Sequence, residues 1–273
     1  MALPPAAEAF DAVAERFDAR YGAWKSVSAQ RRAVRAALLE AFEPGARILE
    51  MGGGTGEDAR WLGKRGREVL LTDISPAMVR VATEKLRGLG LPEPMVSGAE
   101  QLGSIAASVG GQFDGAFTNF AALNCVADLE GVRKGLARLV RPGGRVLLVV
   151  FGTCTPGEWL VQLLRGDVRA AFRRFHRGDV EARLGGKDFV VRYHRSADLV
   201  KALAPSFELR ARRGIGVFVP PSAAEPWVSG HETLLSLLEQ LDRVVSRPLA
   251  MFGDHILYEF ERTPLNDAPG RVE

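Results

Sequence analysis

The chain has 273 residues, 47% of them hydrophobic and 25% charged, a composition typical of globular proteins with a large apolar core. A formal net charge of +3 is too small to indicate nucleic-acid binding by itself, and the two cysteines and four histidines lack metal-ligand spacing. No apolar run is long enough for a transmembrane helix and the first residues lack a signal-peptide pattern, so we expect a cytoplasmic protein with no transmembrane segment and no metal.

The first 45 residues are predicted to form a helical cap. Apolar residues recur at helical spacing through 7–42, and Glu43-Pro44-Gly45 ends the pattern. Two apolar stripes carry this prediction: Phe10, Val13, Ala14 and Phe17, then Val34, Leu38, Leu39 and Phe42.

Strands and helices alternate from 46 to 151, which predicts a parallel sheet with helices on both sides. Ser75 is a candidate helix N-cap followed by proline. The predicted strands are 46–52, 68–73, a short one near 93–98, 113–120 and 145–151. The last is almost wholly apolar, so we expect it to be central and buried on both faces.

The pattern changes after residue 151. An amphipathic helix is predicted over 157–176, and a strand outside the main sheet over 189–195. The last two strands are predicted to begin at Phe207 and His255, with a long, partly helical connection over 220–254. Residues 263–273 have the composition of a disordered tail.

A glycine-rich turn follows the first strand and begins a helix. Its pattern is Glu50-x-Gly52-x-Gly54-x-Gly56, and glycines there let a ligand approach the main chain. A dinucleotide turn requires a third glycine where Glu57 stands, and the Gly-Lys-Ser/Thr ending of a phosphate-binding loop is absent. An acidic turn suits a ligand with an ammonium and a sulfonium better than one with phosphates.

A carboxylate ends the second strand. Asp73 lies 73 − 52 = 21 residues after Gly52, where a ribose-binding acid is expected. Ile74 and Met78 follow it and are candidates to flank an adenine ring. The third strand ends at Ser97-Gly98-Ala99-Glu100, where the edge of an adenine ring would lie. The fourth strand ends with Asn119.

The order and spacing of these segments resemble class I S-adenosylmethionine-dependent methyltransferases of the group that includes ubiquinone and menaquinone biosynthesis enzymes. The motifs are ILEMGGGTGE, LLTDISPAMV, SGAEQL, FDGAFTNFAALNCV and LVRPGGRVLLVVF. The resemblance is specific over 46–151, looser over 7–45 and weak beyond 152. One departure is Gly98, where the group usually has aspartate, which leaves that contact to the Ala99 backbone and Glu100.

The resemblance implies a Rossmann-like α/β fold with a seven-stranded, mostly parallel sheet, an antiparallel last strand, helices on both faces and helical lid insertions. We expect one methyltransferase domain over 1–273. Its expected parts are a cap at 1–45, a cofactor-binding half at 46–151, a lid insertion at 152–205, the last two strands at 206–262 with a substrate-side insertion at 220–254, and a tail at 263–273.

The resemblance also implies the ligands and the site. The cofactor would be S-adenosyl-L-methionine, the product S-adenosyl-L-homocysteine, and the acceptor a small-molecule or lipid-like compound methylated by in-line displacement. The implied cofactor-binding residues are Tyr21, Glu50, Gly52, Gly53, Gly54, Asp73, Ile74, Met78, Ala99, Glu100 and Asn119.

Candidates for a general base are His255, which follows Asp254 at the start of the last strand, and the neighbours Tyr193 and His194. Structural alternatives remain open for several residues. Glu50 is equally suited to bonding a backbone amide, Asn119 to capping a strand, and Asp254-His255 to shaping a turn.

Three other functions remain to be weighed. A nicotinamide oxidoreductase is disfavoured by Glu57. A base-amine methyltransferase acting on nucleic acid would carry Asn-Pro-Pro-aromatic where this chain has Asn119-Phe120-Ala121-Ala122, so we expect no nucleic-acid partner. The third is a catalytically silent cofactor-binding partner protein. The basic stretch 165–195, with eight arginines and one lysine against four acids, indicates a solvated face or attraction of an acidic substrate or lipid surface.

Overall fold

The computed structural model describes residues 3–264 except positions 121, 177, 205 and 226. The predicted tail therefore lies outside the described residues from position 265 onward. The strands are β1 (Arg47–Met51), β2 (Glu68–Asp73), β3 (Met95–Val96), β4 (Phe113–Thr118), β5 (Val140–Phe151), β6 (Asp179–Leu184), β7 (Lys187–Arg192), β8 (Phe207–Ile215) and β9 (His255–Arg262).

The helices within the described residues flank these strands in the expected order. They are α1 (Pro5–Asp11), α2 (Ala14–Tyr21), α3 (Lys25–Ala41), α4 (Glu57–Gly63), α5 (Pro76–Leu86), α6 (Leu102–Ile105), α7 (Leu129–Leu139), α8 (Pro156–Leu164), α9 (Val168–Phe172), α10 (Ser196–Leu203) and α11 (Glu232–Val245). None of the helices described is both long and apolar enough to cross a membrane.

Seven strands form one sheet in the order β3-β2-β1-β4-β5-β9-β8. Strands β1 to β5 pair in parallel, whereas β9 runs antiparallel between β5 and β8. The expected fold, a mostly parallel sheet whose last strand is antiparallel, is confirmed. Strand β5 is central and pairs with β9 so that Phe151 lies opposite His255.

Two apolar layers bury the two faces of the sheet. One contains α6, α7 and α10, through residues such as Leu102, Leu136 and Leu203. The other contains α3, α4 and α5, through residues such as Leu38 and Leu62. Helices therefore cover both faces, as a buried parallel sheet requires.

Several predicted boundaries are wrong. The helical region 7–42 is divided into α1, α2 and α3, and the predicted helix 157–176 is broken after α8. Gly166 has a φ of +77°, and the Asp167 side chain accepts a 2.8 Å hydrogen bond from the Ala170 amide, which starts α9. The predicted strand outside the main sheet exists as β7, but its antiparallel partner β6 was not anticipated.

The β6–β7 hairpin is attached to the N-terminal helices. Its turn residues Gly185 and Gly186 both have positive φ, and a Cβ on Gly185 would lie 2.9 Å from Val13. The rings of Phe10 in α1 and Phe189 in β7 lie 5.8 Å apart. The insertion after β5 therefore supports α1 from outside.

Candidate functional site

A cleft lies at the carboxyl ends of β1, β2 and β4, where open α/β sheets bind ligands. The turn between β1 and α4 forms its floor. Gly52, Gly54 and Gly56 have φ of +64°, +56° and +81°, a region that favours glycine. A Cβ on Gly54 would meet nothing within 4 Å, so the cleft is open above this residue.

Asp73 anchors the glycine turn. One carboxylate oxygen accepts a hydrogen bond from the Gly54 amide (2.8 Å) and the other from the Ser75 amide (2.9 Å). Each oxygen retains a lone pair for a further donor. Burial raises the pKa of Asp73, although these amides oppose the effect.

Glu50 is a buried carboxyl group at the end of β1, beside the cleft. It is 2% exposed, and its Oε2 atom has no hydrogen-bond partner among the described residues. Burial and the nearby Asp58 raise its pKa well above the ordinary range, while Arg31 acts in the opposite direction. An unpartnered buried oxygen at a cleft is a position at which a cationic ligand group would be stabilised.

Asp58 in α4 joins the glycine turn to α3. Its carboxylate accepts hydrogen bonds from Arg31 (3.1 Å), Arg35 (2.7 Å) and the Asn119 side-chain amide (2.8 Å). The Arg31 guanidinium lies 4.9 Å from the centre of the Phe120 ring. This network fixes Arg31, Asn119 and Phe120 at one end of the cleft.

The described residues that line the cleft are strongly acidic. Arg31 is the one cation among them, whereas six carry carboxyl groups: Asp18, Glu50, Glu57, Asp58, Asp73 and Glu100. Asp58 is paired with Arg31 and Arg35, and Asp18 and Glu57 with Lys85. Among the described residues this leaves Glu50, Asp73 and Glu100 without an ion pair, so a cationic ligand group is favoured over several phosphates.

The N-terminal helices cover the cleft, with Phe10 and Phe17 among its lining residues. Asp11 accepts a hydrogen bond from the Ala77 amide (3.0 Å), at the start of α5. Asp18 accepts one from the Thr55 hydroxyl (2.6 Å). Asp18 therefore bonds to the floor and Asp11 to the start of α5, so the cover is attached by specific contacts.

Ten of the eleven predicted cofactor residues line the cleft: Glu50, Gly52, Gly53, Gly54, Asp73, Ile74, Met78, Ala99, Glu100 and Asn119. Tyr21 is not among the lining residues. Its ring packs 4.7 Å from Phe17 and 5.0 Å from Trp24, and Arg20 lies over it.

Sequence reasoning missed several lining residues: Asp18, Arg31, Asp58 and Phe120. Asp18 lies in FDAVAERFDARY (10–21), which resembles the N-terminal helix that closes over the cofactor in this group, but nothing local singles out its carboxylate. Arg31 lies in a helix that reaches the cleft only through tertiary packing, and no local motif marks it. Asp58 follows the glycine turn directly, so its place in the first turn of α4 was an available signal.

The three base candidates are not among the described residues that line the cleft: His255 lies opposite Phe151 at the end of β5, Tyr193 packs near Phe151, and His194 contacts Leu123. The His255 ring stacks on Phe151 (4.9 Å) and meets the edge of Phe120 (5.6 Å). The Tyr193 ring lies 5.8 Å from Phe151, and burial raises its pKa. Phe120, which lines the cleft, thus separates it from His255.

His194 and His255 differ in their hydrogen bonding. The Nε2 atom of His194 lies 3.1 Å from the Leu123 carbonyl, and burial lowers the pKa of this histidine. The Nδ1 atom of His255 lies 3.4 Å from Asp254 Oδ2, longer than a good hydrogen bond. The Nδ1 atom of His255 therefore lacks a good hydrogen bond, whereas the Nε2 atom of His194 has a partner at normal distance.

A buried ion cluster holds Asp254 in place. Its carboxylate accepts hydrogen bonds from Arg174 (2.7 Å) and Gln30 (3.0 Å). Burial acts to raise the pKa of Asp254, but Arg174 and His255 outweigh it and hold the pKa below the ordinary range. Asp254 is therefore a fixed negative charge beside His255.

Comparison with known proteins finds a family match over part of the chain. Residues 49–148 match the sequence profile of the family described as methyltransferase domain. The ubiquinone/menaquinone biosynthesis C-methyltransferase of Bordetella parapertussis is 32% identical over 157 residues, which cover 53% of this chain and 56% of that protein. The match thus spans little more than half the length of that relative.

Two further comparisons extend over more of the chain. The malonyl-[acyl-carrier protein] O-methyltransferase of Halorhodospira halophila is 29% identical over 211 residues, covering 71% of this chain and 68% of that protein. A crystal structure of an S-adenosylmethionine-dependent methyltransferase from Methanosarcina mazei shares the fold, with a TM-score of 0.53, 19% identity, and coverage of 83% and 96%. Residues 49–148 therefore match a methyltransferase domain, and the chain shares the fold of a solved S-adenosylmethionine-dependent methyltransferase.

Proposed function

We propose that this protein transfers a methyl group from S-adenosylmethionine to a small-molecule or lipid-like acceptor. The observation that carries the proposal is the charge of the cleft, with six carboxyl groups and one guanidinium among its described lining residues. S-adenosylmethionine has a cationic sulfonium, an ammonium and one carboxylate, which complement this lining. The pyrophosphate of a dinucleotide would be repelled by it.

The adenosine half would lie along the end of β2. Asp73 has lone pairs left to accept hydrogen bonds from both ribose hydroxyls. Ile74 and Met78 would flank the adenine ring, and the Ala99 backbone and Glu100 would contact its edge. A Cβ on Gly98 would lie 3.3 Å from Ile74, which supports a close approach of backbone and adenine at this point.

The methionine half would lie between β1 and β4. The Gly52 and Gly53 backbone would contact it, and the unpartnered Oε2 of Glu50 would accept from the ammonium. Arg31, fixed by Asp58, would face the carboxylate, which suits its place as the cation of the lining. Asn119 would orient the methionine chain of the ligand near its sulfur atom.

The acceptor would enter beside the aromatic rings beyond the end of β5. Phe120, Phe151 and Tyr193 offer it apolar surface, and His255 is the group best suited to take a proton from it. The bound sulfonium supplies an activated methyl group, and in-line alignment of the acceptor supplies much of the rate. A base is needed only when the acceptor atom carries a proton at neutral pH.

The names of the two relatives leave the acceptor atom open, because one is a C-methyltransferase and the other an O-methyltransferase. The proposed division of the chain into segments is compatible with a covered site for C- or O-methylation. Residues 1–45 would form the cap, 46–151 the cofactor-binding half, and 152–205 with 220–254 the acceptor side.

Calorimetry with the full chain tests the proposal. S-adenosylmethionine and S-adenosylhomocysteine should bind with micromolar or tighter affinity, and NAD should not compete. Release of S-adenosylhomocysteine should then be assayed against quinone precursors and carboxylic acids as acceptors. Saturable NAD binding in the cleft would overturn the cofactor assignment. Binding without turnover of any acceptor class would instead favour a catalytically silent partner protein.

A further inference from the structure

An apolar surface protrudes from the insertion that follows β5. Large apolar side chains of α8, α9 and the following 3₁₀ turn Arg173–Phe175 are exposed to solvent. They form what we term the insertion patch: Leu160, Leu163, Leu164, Val168, Phe172 and Phe175. Leu164 is 80% exposed and Leu160 61%, so these residues do not serve the folded core. A cluster of this kind marks an interaction site.

The patch is held firmly rather than being a loose segment. Below it, the Trp159 ring packs 5.9 Å from Phe172 and 5.4 Å from Phe175. The buried Arg174 side chain forms ion pairs with Glu158 and Asp254. These ion pairs attach the 3₁₀ turn to the interior of the protein. The exposed rings are therefore presented from a fixed base.

The charges around the patch are basic. Within 156–175, all of which the structure describes, Arg165, Arg169 and Arg173 are exposed, and Asp167 is the one exposed acid. Arg173 forms an ion pair of 2.6 Å with the buried Glu158 while remaining 46% exposed. Exposed leucine and phenylalanine side chains interleaved with arginines are the composition of segments that lie in the interface of an anionic bilayer.

A second exposed apolar face, on α11, provides a contrast. Val244 is 77% exposed and Leu237 53%, close to the values in the insertion patch. The sequence of α11 has three acids and one arginine: Glu232, Glu239, Asp242 and Arg243. Asp242 is buried, and Glu232 and Glu239 form ion pairs with Lys25 and Arg32. Apolar exposure is thus similar on the two faces, so α11 is a comparison surface for testing whether exposure alone is enough.

We propose that the insertion patch docks this protein on an anionic lipid bilayer, with the apolar side chains in the interface and Arg165 and Arg169 against lipid phosphates. Helix α8 begins five residues after β5 ends, and Phe151 at that end lies in the aromatic group beside the cleft. Docking through the insertion patch would bring the end of β5, beside the cleft, towards the membrane. The proposal does not depend on which acceptor is methylated.

Co-sedimentation of the full chain with vesicles tests it. Binding is expected to vesicles of phosphatidylcholine with one third phosphatidylglycerol, to weaken as salt is added, and to be absent with phosphatidylcholine alone. Leu164→Asp should lower the partition coefficient about tenfold or more. Arg165→Glu with Arg169→Glu should lower it about 25-fold or more, since each arginine near the surface contributes about fivefold.

Matched variants on α11 provide the control. Val244→Asp and Arg243→Glu change equally exposed positions and should leave vesicle binding at the wild-type level. Circular dichroism should show every variant folded. Wild-type binding by Leu164→Asp overturns the proposal, as does equal loss in Val244→Asp. A dimer abolished by Leu164→Asp, without vesicle binding, would assign the patch to self-association instead.

Discussion

The carboxylate of Asp18 accepts a 2.6 Å hydrogen bond from the Thr55 hydroxyl, which joins α2 to the turn that forms the floor of the cleft. The Lys85 ammonium bonds to Asp18 as well and lies 2.8 Å from Glu57. One aspartate of the cover is thus bonded to two elements of the cofactor site. Attachment of the N-terminal helices and binding of the cofactor should therefore be coupled.

Replacing Asp18 with alanine should loosen this cover. We expect faster amide hydrogen exchange over 5–21 and a cofactor affinity up to about tenfold weaker, because a hydrogen bond to a charged group contributes about 1.5–3 kcal/mol. Exchange should be followed by mass spectrometry with and without S-adenosylhomocysteine, which should slow it in the wild type.

Glu15→Ala is the matched control for this change. Glu15 lies in the same helix and pairs with Arg80, but both side chains are more than 60% exposed. Such pairs contribute little, so exchange and affinity should stay at wild-type values. Equal effects of the two substitutions would mean that α2 is not attached through Asp18.

The sequence allowed prediction of the features carried by contiguous segments. Glu50, Gly52 and Asp73 end strands that also contain the apolar core, so their place at the carboxyl edge follows from strand order. The Ser75 N-cap is confirmed, since its hydroxyl accepts a hydrogen bond from the Met78 amide at 3.1 Å.

Features that depend on docking between distant segments could not be predicted. Arg31 and Asp18 reach the cleft only because α2 and α3 pack on it, and Tyr21, one helical turn from Phe17, packs among aromatic rings instead. The break between α8 and α9 depends on the positive φ of Gly166, which an otherwise amphipathic pattern conceals.

Asp73→Ala should weaken cofactor binding by about 2–4 kcal/mol, measured by calorimetry. The substitution removes the proposed ribose acceptor and also the acceptor for the Gly54 amide, so the turn loses an anchor. The variant should still fold, which circular dichroism checks.

Asp114→Ala is the control for Asp73→Ala. Asp114 lies at the opposite end of the sheet and likewise accepts a hydrogen bond from a backbone amide, that of Arg47 at 2.8 Å. Its loss should leave cofactor affinity unchanged. If Asp73→Ala also binds normally, Asp73 is not the ribose ligand.

Glu50 should give the stability of the protein a distinct pH dependence. Burial raises its folded-state pKa above the unfolded value, so its contribution is fully present below the unfolded pKa and is lost as pH rises through the folded pKa. Glu50→Gln removes this loss. As pH rises above about 4.3, the free energy of unfolding of the variant should therefore increase relative to that of the wild type. Parallel curves for the two proteins, measured by denaturant unfolding across pH, would contradict the assignment.

Cofactor binding should reverse this preference of Glu50 for its neutral form. The ammonium of the ligand favours the ionised carboxylate, so binding should release a proton wherever Glu50 is still protonated in the free protein. Calorimetry in buffers of different ionisation enthalpy measures the release. Glu50→Gln should show less of it than the wild type.

We propose His255 as the group that takes a proton from the acceptor. Its ring is held between Phe151 and Phe120, and the carboxylate of Asp254 lies beside its Nδ1 atom. Tyr193 is the rival base, but burial raises its pKa, which disfavours the phenolate. Variants of the two residues therefore distinguish the candidates.

His255→Ala should lower turnover by about 10²-fold or more, the effect expected from loss of a general base, while cofactor affinity stays unchanged. The pH dependence that a general base imposes on wild-type turnover should be absent from the residual activity of the variant. Tyr193→Phe should retain most of the turnover. Steady-state kinetics across pH with an identified acceptor measures all three. If His255→Ala turns over normally and Tyr193→Phe does not, the proton passes to Tyr193 and the role assigned to His255 is wrong.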